Sequence, residues 1–196
     1  MKPFAESCAQ NQAEICAVLE ILLPNNKHVL EIGSGTGQHA VYFSERLPHL
    51  IWQTSDQEQY HEGINLWLDE AQLDNTRAPI SLDVSTSTWP KLEIDTLFSA
   101  NAVHIMAWEN VVDYFNNGAS LLKKDGYFIL YGPFNYNDEY TSESNQRFDQ
   151  WLKERDSKSG IRNFETLDDL ANKNNMQLAH DIEMAANNRI LCWQKT

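Results

Sequence analysis

The stretch "VLEIGSGTG", residues 29–37, decides how the chain reads. Val29, Leu30 and Ile32 form a short apolar run broken only by Glu31, and Gly33, Gly35 and Gly37 follow at alternate positions. A short apolar run bounded by turn residues fits a buried strand. Closely spaced glycines permit a sharp bend and let a ligand approach the backbone. Two guests suit such a bend: a pyrophosphate at a helix start, or a nucleoside carrying no phosphate. The dinucleotide fingerprint is G-x-G-x-x-G. Here the third glycine comes one residue early and position 38 is Gln, and no G-K-[ST] follows for a triphosphate.

Outward from this stretch, helical and strand patterns alternate. Ile15, Val18, Leu19 and Leu22 recur at helix spacing, and Pro24, Asn25 and Asn26 end that helix. Ala40, Phe43 and Leu47 mark a second helix; Ile64, Trp67, Leu68 and Ala71 a third; Val111, Val112, Phe115, Ala119 and Leu122 a fourth; Leu167, Leu170 and Ala171 a late one. Strands are expected over 29–32, 50–54, 79–84, 94–100 and 127–131, the last after a turn at 123–126. Two more, 177–183 and 189–194, are joined by "MAANN". So short a connection makes the final pair antiparallel, because a parallel crossover needs about a dozen residues. The pattern predicts an α/β chain: a doubly wound, mostly parallel, seven-stranded sheet with an antiparallel edge strand and helices on both faces.

The 196 residues suit a single domain, 1–196. A hydrophobic content of 42% excludes a disordered chain. No apolar run approaches the roughly 20 residues that span a bilayer, and the first residues lack a signal peptide's apolar stretch. A cytoplasmic protein is expected. Cys8, Cys16 and Cys192 form no C-x-x-C pair and fit reduced packing thiols, so no disulfide frame and no metal site is expected. The net charge of −13 argues against nucleic acid and anionic membrane as partners, since phosphate binding is driven by Lys and Arg. A charged coat that keeps the chain in solution explains it more simply, and no pattern specifies an oligomeric state.

In a sheet of this kind, ligands bind beyond the carboxyl ends of the strands. Glu31 stands two residues before the first glycine. Asp56 follows the second strand about 20 residues beyond the loop, where an acid accepts from ribose hydroxyls; the alternative is a helix cap or surface acid. Asp83 and Val84 stand at the end of the third strand, and a turn-forming Asp is the alternative there. The pattern E-x-G-x-G-x-G, with these acids, resembles the first motif of Rossmann-like methyltransferases that use S-adenosylmethionine (SAM). The resemblance implies that Gly33, Ser34, Gly35 and Gly37 form the cofactor loop. Glu31 would balance the cationic methionyl end. Asp83 would accept from the adenine amino group, and Val84 would offer a backbone N–H to the ring. It also implies that the backbone after the fourth strand, at Asn101, flanks the sulfonium and opens onto the acceptor. The [DN]-P-P-[YF] of many base N-methylating enzymes is absent from "SANAVHIMAWEN".

His104 and Trp108 follow at i, i+4. A His suits proton removal from an acceptor near neutral pH, against the alternative of a hydrogen-bonded core His. Trp108 could wall a pocket or simply pack. After the fifth strand the connection runs far beyond the usual 2–6 residues. Thr141 or Ser142 can cap a helix there, with Phe148, Trp151, Leu152 and Arg155 on one stripe and Asn145 and Asp149 beside it. A lid-like insert around 134–163 is expected, with Tyr131, Phe134, Asn145, Asp149, Arg162 and Asn163 as acceptor contacts; a packed surface excursion is the alternative.

"NAVHIMAWE", "YGPF", "SNQRFDQWL", "GIRNFE" and "MAANN" together resemble the methyltransferase-like 26 family over nearly the whole chain. Residues 9–11 read Ala-Gln-Asn where that resemblance leads one to expect Arg before Asn, and Ala185 stands where Pro is expected. Asn11 and Asn188 stay as pocket candidates. The resemblance implies a SAM-dependent methyltransferase of a small-molecule acceptor. The rival is a SAM-binding protein that acts through partners without catalysis. A nicotinamide enzyme is disfavoured by the glycine spacing.

Overall fold

A computed structural model describes residues 2–86 and 88–196. The helices are α1 (Glu6–Leu22), α2 (Gln38–Arg46), α3 (His61–Ala71), α4 (Trp108–Leu121), α5 (Glu143–Arg155) and α6 (Phe164–Lys173). The strands are β1 (His28–Glu31), β2 (Ile51–Asp56), β3 (Thr76–Ser81), β4 (Ile94–Ala100), β5 (Leu122–Gly132), β6 (Phe134–Asn135), β7 (Arg162–Asn163), β8 (Met176–Met184) and β9 (Asn188–Lys195). Seven strands form one sheet in the order β3-β2-β1-β4-β5-β9-β8. This is the expected Rossmann-like α/β fold, mostly parallel, with an antiparallel hairpin at one edge. Among the described residues no helix is long and apolar enough to cross a membrane. The chain divides into two compact units, one ending at Phe98 and the other Ser99–Thr196.

In the first unit, β3, β2, β1 and β4 pair in parallel. Phe43 of α2, Trp52 of β2 and Phe98 of β4 form the aromatic centre, with ring centroids 5.3 to 5.8 Å apart. All three side chains are fully buried, and such tilted contacts add to the stabilisation from area burial. The third strand lies at Thr76–Ser81, not at 79–84. Its register against β2 shifts by one residue between Gln53 and Ser55, so Ala78 and Pro79 occupy the irregularity. A proline lacks the N–H that a central strand needs, and an outermost strand with a register shift tolerates it. Asp83 and Val84 therefore sit in the loop beyond the strand.

In the second unit, β5 pairs antiparallel with β9 from Tyr127 to Gly132, and β9 pairs antiparallel with β8. The β8–β9 tip is tight because Ala186 and Asn187 both adopt positive φ. Phe115 of α4, Phe128 of β5 and Trp193 of β9 pack together, Phe115 and Phe128 at 4.6 Å. Residues 123–126, expected as a turn, belong instead to β5, where Asp125 is left-handed (φ 66°) and pairing with β9 starts only after it. α4 begins at Trp108 behind an extended Ala107, so His104 lies in the preceding turn and not on the helix. The long connection is ordered: β6 and β7 pair in parallel, and the Ser142 side chain caps α5 by accepting from the Asn145 N–H.

Candidate functional site

The glycine loop is set by backbone bonds from the ends of two neighbouring strands. Ile32 N–H donates to the Phe98 carbonyl, and the Gly33 and Ser34 N–H groups both donate to the Ser55 carbonyl. Gly37 shows why the third glycine stands where it does. Its φ is 89°, and a Cβ there would lie 3.1 Å from Ile64 Cα and 3.3 Å from Trp67 Cβ. A side chain would push α3 off the loop.

Beneath this loop Glu31 is 2% exposed. Trp52 Nε1 donates to its Oε2 at 3.0 Å, and the Ser34 hydroxyl also bonds to it. Burial raises the Glu31 carboxyl to about 7, against the lowering effect of Trp52 and Ser34, with the Asp56 charge adding to the rise. A carboxyl so placed gains from a cation. Asp56 Oδ2 accepts from Gly35 N–H at 2.7 Å and Oδ1 from Gln57 N–H at 2.7 Å, which fixes the carboxylate at the loop. Burial raises the Asp56 carboxyl, opposed by these two N–H groups. Asp83 Oδ1 accepts from Ser85 N–H and Oγ–H, and Oδ2 from Gln57 Nε2 at 3.0 Å. These bonds from Ser85 hold its carboxyl low. Gln57 thus ties the loop after β2 to the loop after β3. Glu31 and Asp56 close β1 and β2, and Asp83 and buried Val84 lie in the loop beyond β3.

In the second unit Asn101 ends β4 in a left-handed conformation (φ 55°), and its N–H donates to the Tyr131 carbonyl. A Cβ on Gly132 would stand 3.7 Å from both Asn101 Oδ1 and His104 Nδ1, so these two polar atoms converge over the end of β5. His104 is 4% exposed and meets the Phe148 ring edge-on at 5.2 Å. Its Nδ1 has no hydrogen-bond partner among the described residues. Burial, helped by the Arg162 charge, lowers the imidazole to about 4, so it is neutral at neutral pH.

The insert is strapped to this turn. Gly160 N–H donates to the His104 carbonyl at 2.8 Å, and Ser159 Oγ to the Ile105 carbonyl. The Arg162 guanidinium donates to the carbonyls of Val103, Met106 and Lys158. Asp149, 1% exposed, accepts from Ile161 N–H at 2.7 Å, Tyr140 OH at 2.6 Å and Lys153 Nζ at 2.6 Å. Burial raises its carboxyl, but Lys153, Tyr140 and the Ile161 N–H outweigh burial and hold it low. Asn145 donates to Thr141 Oγ1 and to the Asn187 carbonyl at the β8–β9 tip.

Residues 2–195 match the family described as "Protein of unknown function (DUF938)". The chain belongs to this DUF938 family. Among solved structures, it superposes on an O-methyltransferase family protein from Burkholderia thailandensis with a TM-score of 0.85 at 11% identity, covering 97% of this chain and 58% of that one. An O-methyltransferase family 2 protein from Planctomyces limnophilus, in complex with apigenin, gives 0.81 at 12% identity over 97% and 60%. CalO1, a methyltransferase in calicheamicin biosynthesis solved with S-adenosylhomocysteine, gives 0.76 at 12% over 95% and 54%. The chain thus spans little more than half the length of these structures. At such identities the likeness is one of fold, the Rossmann-like fold of these methyltransferases.

The remaining expected residues have distinct settings. Tyr131 and Phe134 are buried, and Trp108 is partly exposed beside Arg162. Asn163 donates to Asp138. Asn188 donates to the Ala185 carbonyl. Asn11 is buried and pairs with His39 Nε2 at 2.7 Å. Sequence reasoning missed Trp52, Ser55, Gln57 and Gln38. Only Gln57 carried a local signal, a second polar residue directly after Asp56. Trp52 reads as a plain core aromatic until the neighbouring strand brings Glu31 against it.

Proposed function

We propose that this chain is a cytoplasmic SAM-dependent methyltransferase that acts on a small-molecule acceptor, in keeping with its resemblance to the methyltransferase-like 26 family. The observation that carries the reading is Glu31. It is a fully desolvated carboxyl under a glycine loop, uncommitted to any Lys or Arg among the described residues and poised to ionise against a cation. The acceptors around it are the carboxylates of Asp56 and Asp83, and the Gly33, Ser34, Gly35 and Gly37 N–H groups are already bonded within the first unit, which suits a cationic, phosphate-free nucleoside better than a pyrophosphate.

When bound, SAM supplies a methyl group on a cationic sulfonium, which passes in line to an acceptor lone pair as the C–S bond breaks and leaves neutral S-adenosylhomocysteine. The chain's own residues then hold and orient. Gly33, Ser34, Gly35 and Gly37 admit the donor to the backbone. Glu31 balances its methionyl end, Asp56 accepts from the ribose, and Asp83 with the Val84 N–H meets the adenine. Asp56 can keep both backbone bonds and still accept, since a carboxylate offers about four lone-pair sites. Asn101 is assigned to the donor, and neutral His104 to the acceptor as base. Tyr131, Phe134, Trp108, Asn145, Asp149, Arg162, Asn163, Asn11 and Asn188 are the pool from which acceptor contacts come. Positioning of this kind is worth up to about 7–11 kcal/mol, and a base adds roughly 10²–10⁴-fold.

A second reading has its own observation. Asn145, Asp149 and Arg162 are bonded within the second unit and His104 is buried, which favours a SAM-binding protein that acts through partners. Thermal shift against SAM, S-adenosylhomocysteine and NAD tests the donor. Stabilisation by both SAM compounds is expected, and stabilisation by NAD alone would overturn the assignment. Formation of S-adenosylhomocysteine with a metabolite pool separates the enzyme from the binding protein.

A further inference from the structure

Residues 2–8 of the first unit are fastened beside the glycine loop by contacts that the donor reading leaves unused. Gln38 stands where a dinucleotide loop would carry its last glycine. Its side-chain amide forms a two-way pair with the backbone of Ala5: Ala5 N–H donates to Oε1 at 2.5 Å, and Nε2 donates to the Ala5 carbonyl at 3.3 Å. The same Oε1 accepts from Thr36 Oγ1 at 3.0 Å, inside the glycine loop. Gln38 is 3% exposed, so this linkage is sheltered from water.

The rest of the segment is held by α3. Trp67 Nε1 donates to the Pro3 carbonyl at 2.7 Å. Lys2 Nζ lies 3.7 Å over the Trp67 ring and 2.7 Å from Glu70. Pro3 settles on Gly63, where a Cβ would stand 2.7 Å from its ring. At the start of α1, the Cys8 thiol hydrogen-bonds with the Thr36 side chain of the glycine loop. The segment is therefore joined through Gln38 and Thr36 to the glycine loop that follows Glu31. It is pinned at one side by α3 and at the other by Gln38. The same Gly37 that lets α3 close on the loop also brings Trp67 to Pro3.

We propose that residues 2–8 form a gate over the methionyl end of the donor site and that Gln38 is its positioning residue, coupling the gate to the glycine loop through Ala5 and Thr36. This rests on the donor reading above. SAM enters and leaves when the Gln38–Ala5 pair opens. Loosening that pair then speeds both directions, because a closed gate slows entry by the fraction of time it is shut.

The test is stopped-flow binding of SAM and of S-adenosylhomocysteine to the full chain and to two variants. Gln38→Ala removes both bonds to Ala5. Trp67→Phe removes only the bond to Pro3 and keeps the ring beneath Lys2. For Gln38→Ala, association and dissociation rates are expected to rise together, on the order of tenfold for two lost hydrogen bonds, with Kd moving far less. Trp67→Phe shifts both rates the same way by a smaller factor, and it carries the test alone if Gln38→Ala unfolds. Faster dissociation with unchanged association would show a lost contact and overturn the gate, as would unchanged rates in both variants. Failure of the unmutated chain to bind either compound would instead overturn the donor reading itself, and the gate with it.

Discussion

Glu31 sets opposing demands on one side chain. Its folded pKa of about 7 lies above the 4.5 of a free carboxyl. The sign follows directly: the stability linked to this group is fully present below about pH 4.5 and is lost as pH rises through about 7. Glu31→Gln removes that cost. The variant is expected to be more stable than the parent at pH 8 by up to about 3 kcal/mol, at about 1.4 kcal/mol per pKa unit. The gain should vanish near pH 4.5, as read by urea unfolding. The same change removes the partner for a cation and is expected to weaken SAM binding by about 10–100-fold. On the proposed donor reading, SAM affinity of the parent is expected to rise with pH up to about 7 and then level, because the cation favours the ionised form. His104 runs the other way. Its folded pKa of about 4 lies below 6.5, so its contribution is full above about pH 6.5 and is lost as pH falls toward about 4. NMR titration of the histidines checks this: the His104 imidazole stays neutral from about pH 5 to 8, and a midpoint near 6.5 would contradict it.

At the scale of elements, the glycine loop and the insert are built by different means. The loop is held by backbone bonds from the ends of β2 and β4, with Asp56 closing on Gly35. The insert is held by side chains that satisfy carbonyls. Asp149 joins α5 to the start of β7 through Ile161, and Arg162 and Gly160 join that strand to the turn bearing His104. Asp149→Ala leaves the Ile161 N–H without its partner inside a buried setting. Such a loss costs about 1–3 kcal/mol. The exposed Lys153 adds little, since solvent screens its pairing. Urea unfolding is expected to show a loss of about 2 kcal/mol. Asp149→Asn, which keeps an acceptor for Ile161, should recover about half of it.

For the whole molecule the net charge of −13 has a consequence of its own. Like charges repel most in the compact state, and salt screens them over about 10 Å at 0.1 M. Raising sodium chloride from about 10 mM to about 300 mM is therefore expected to raise the thermal midpoint near neutral pH, and calorimetry would show a fall if specific surface ion pairs dominated. Several features were legible before any coordinates. The apolar runs and the helix spacing gave the strand–helix alternation, since burial on both faces of a sheet leaves a mark that local sequence carries. The glycines and acids that follow the strands were legible too, because position after a strand fixes position in the fold. Local sequence misplaced β3, because Pro79 is tolerated only through a register shift against β2. The sequence by itself determined the sheet, the loop and the acids that follow it. Only the tertiary structure decided that Trp52 shields Glu31, that Gln38 reaches Ala5 and that Asp149 bonds Ile161. Those are pairings between residues distant along the chain, and burial and hydrogen bonding across such distances are set by packing, which no local pattern records.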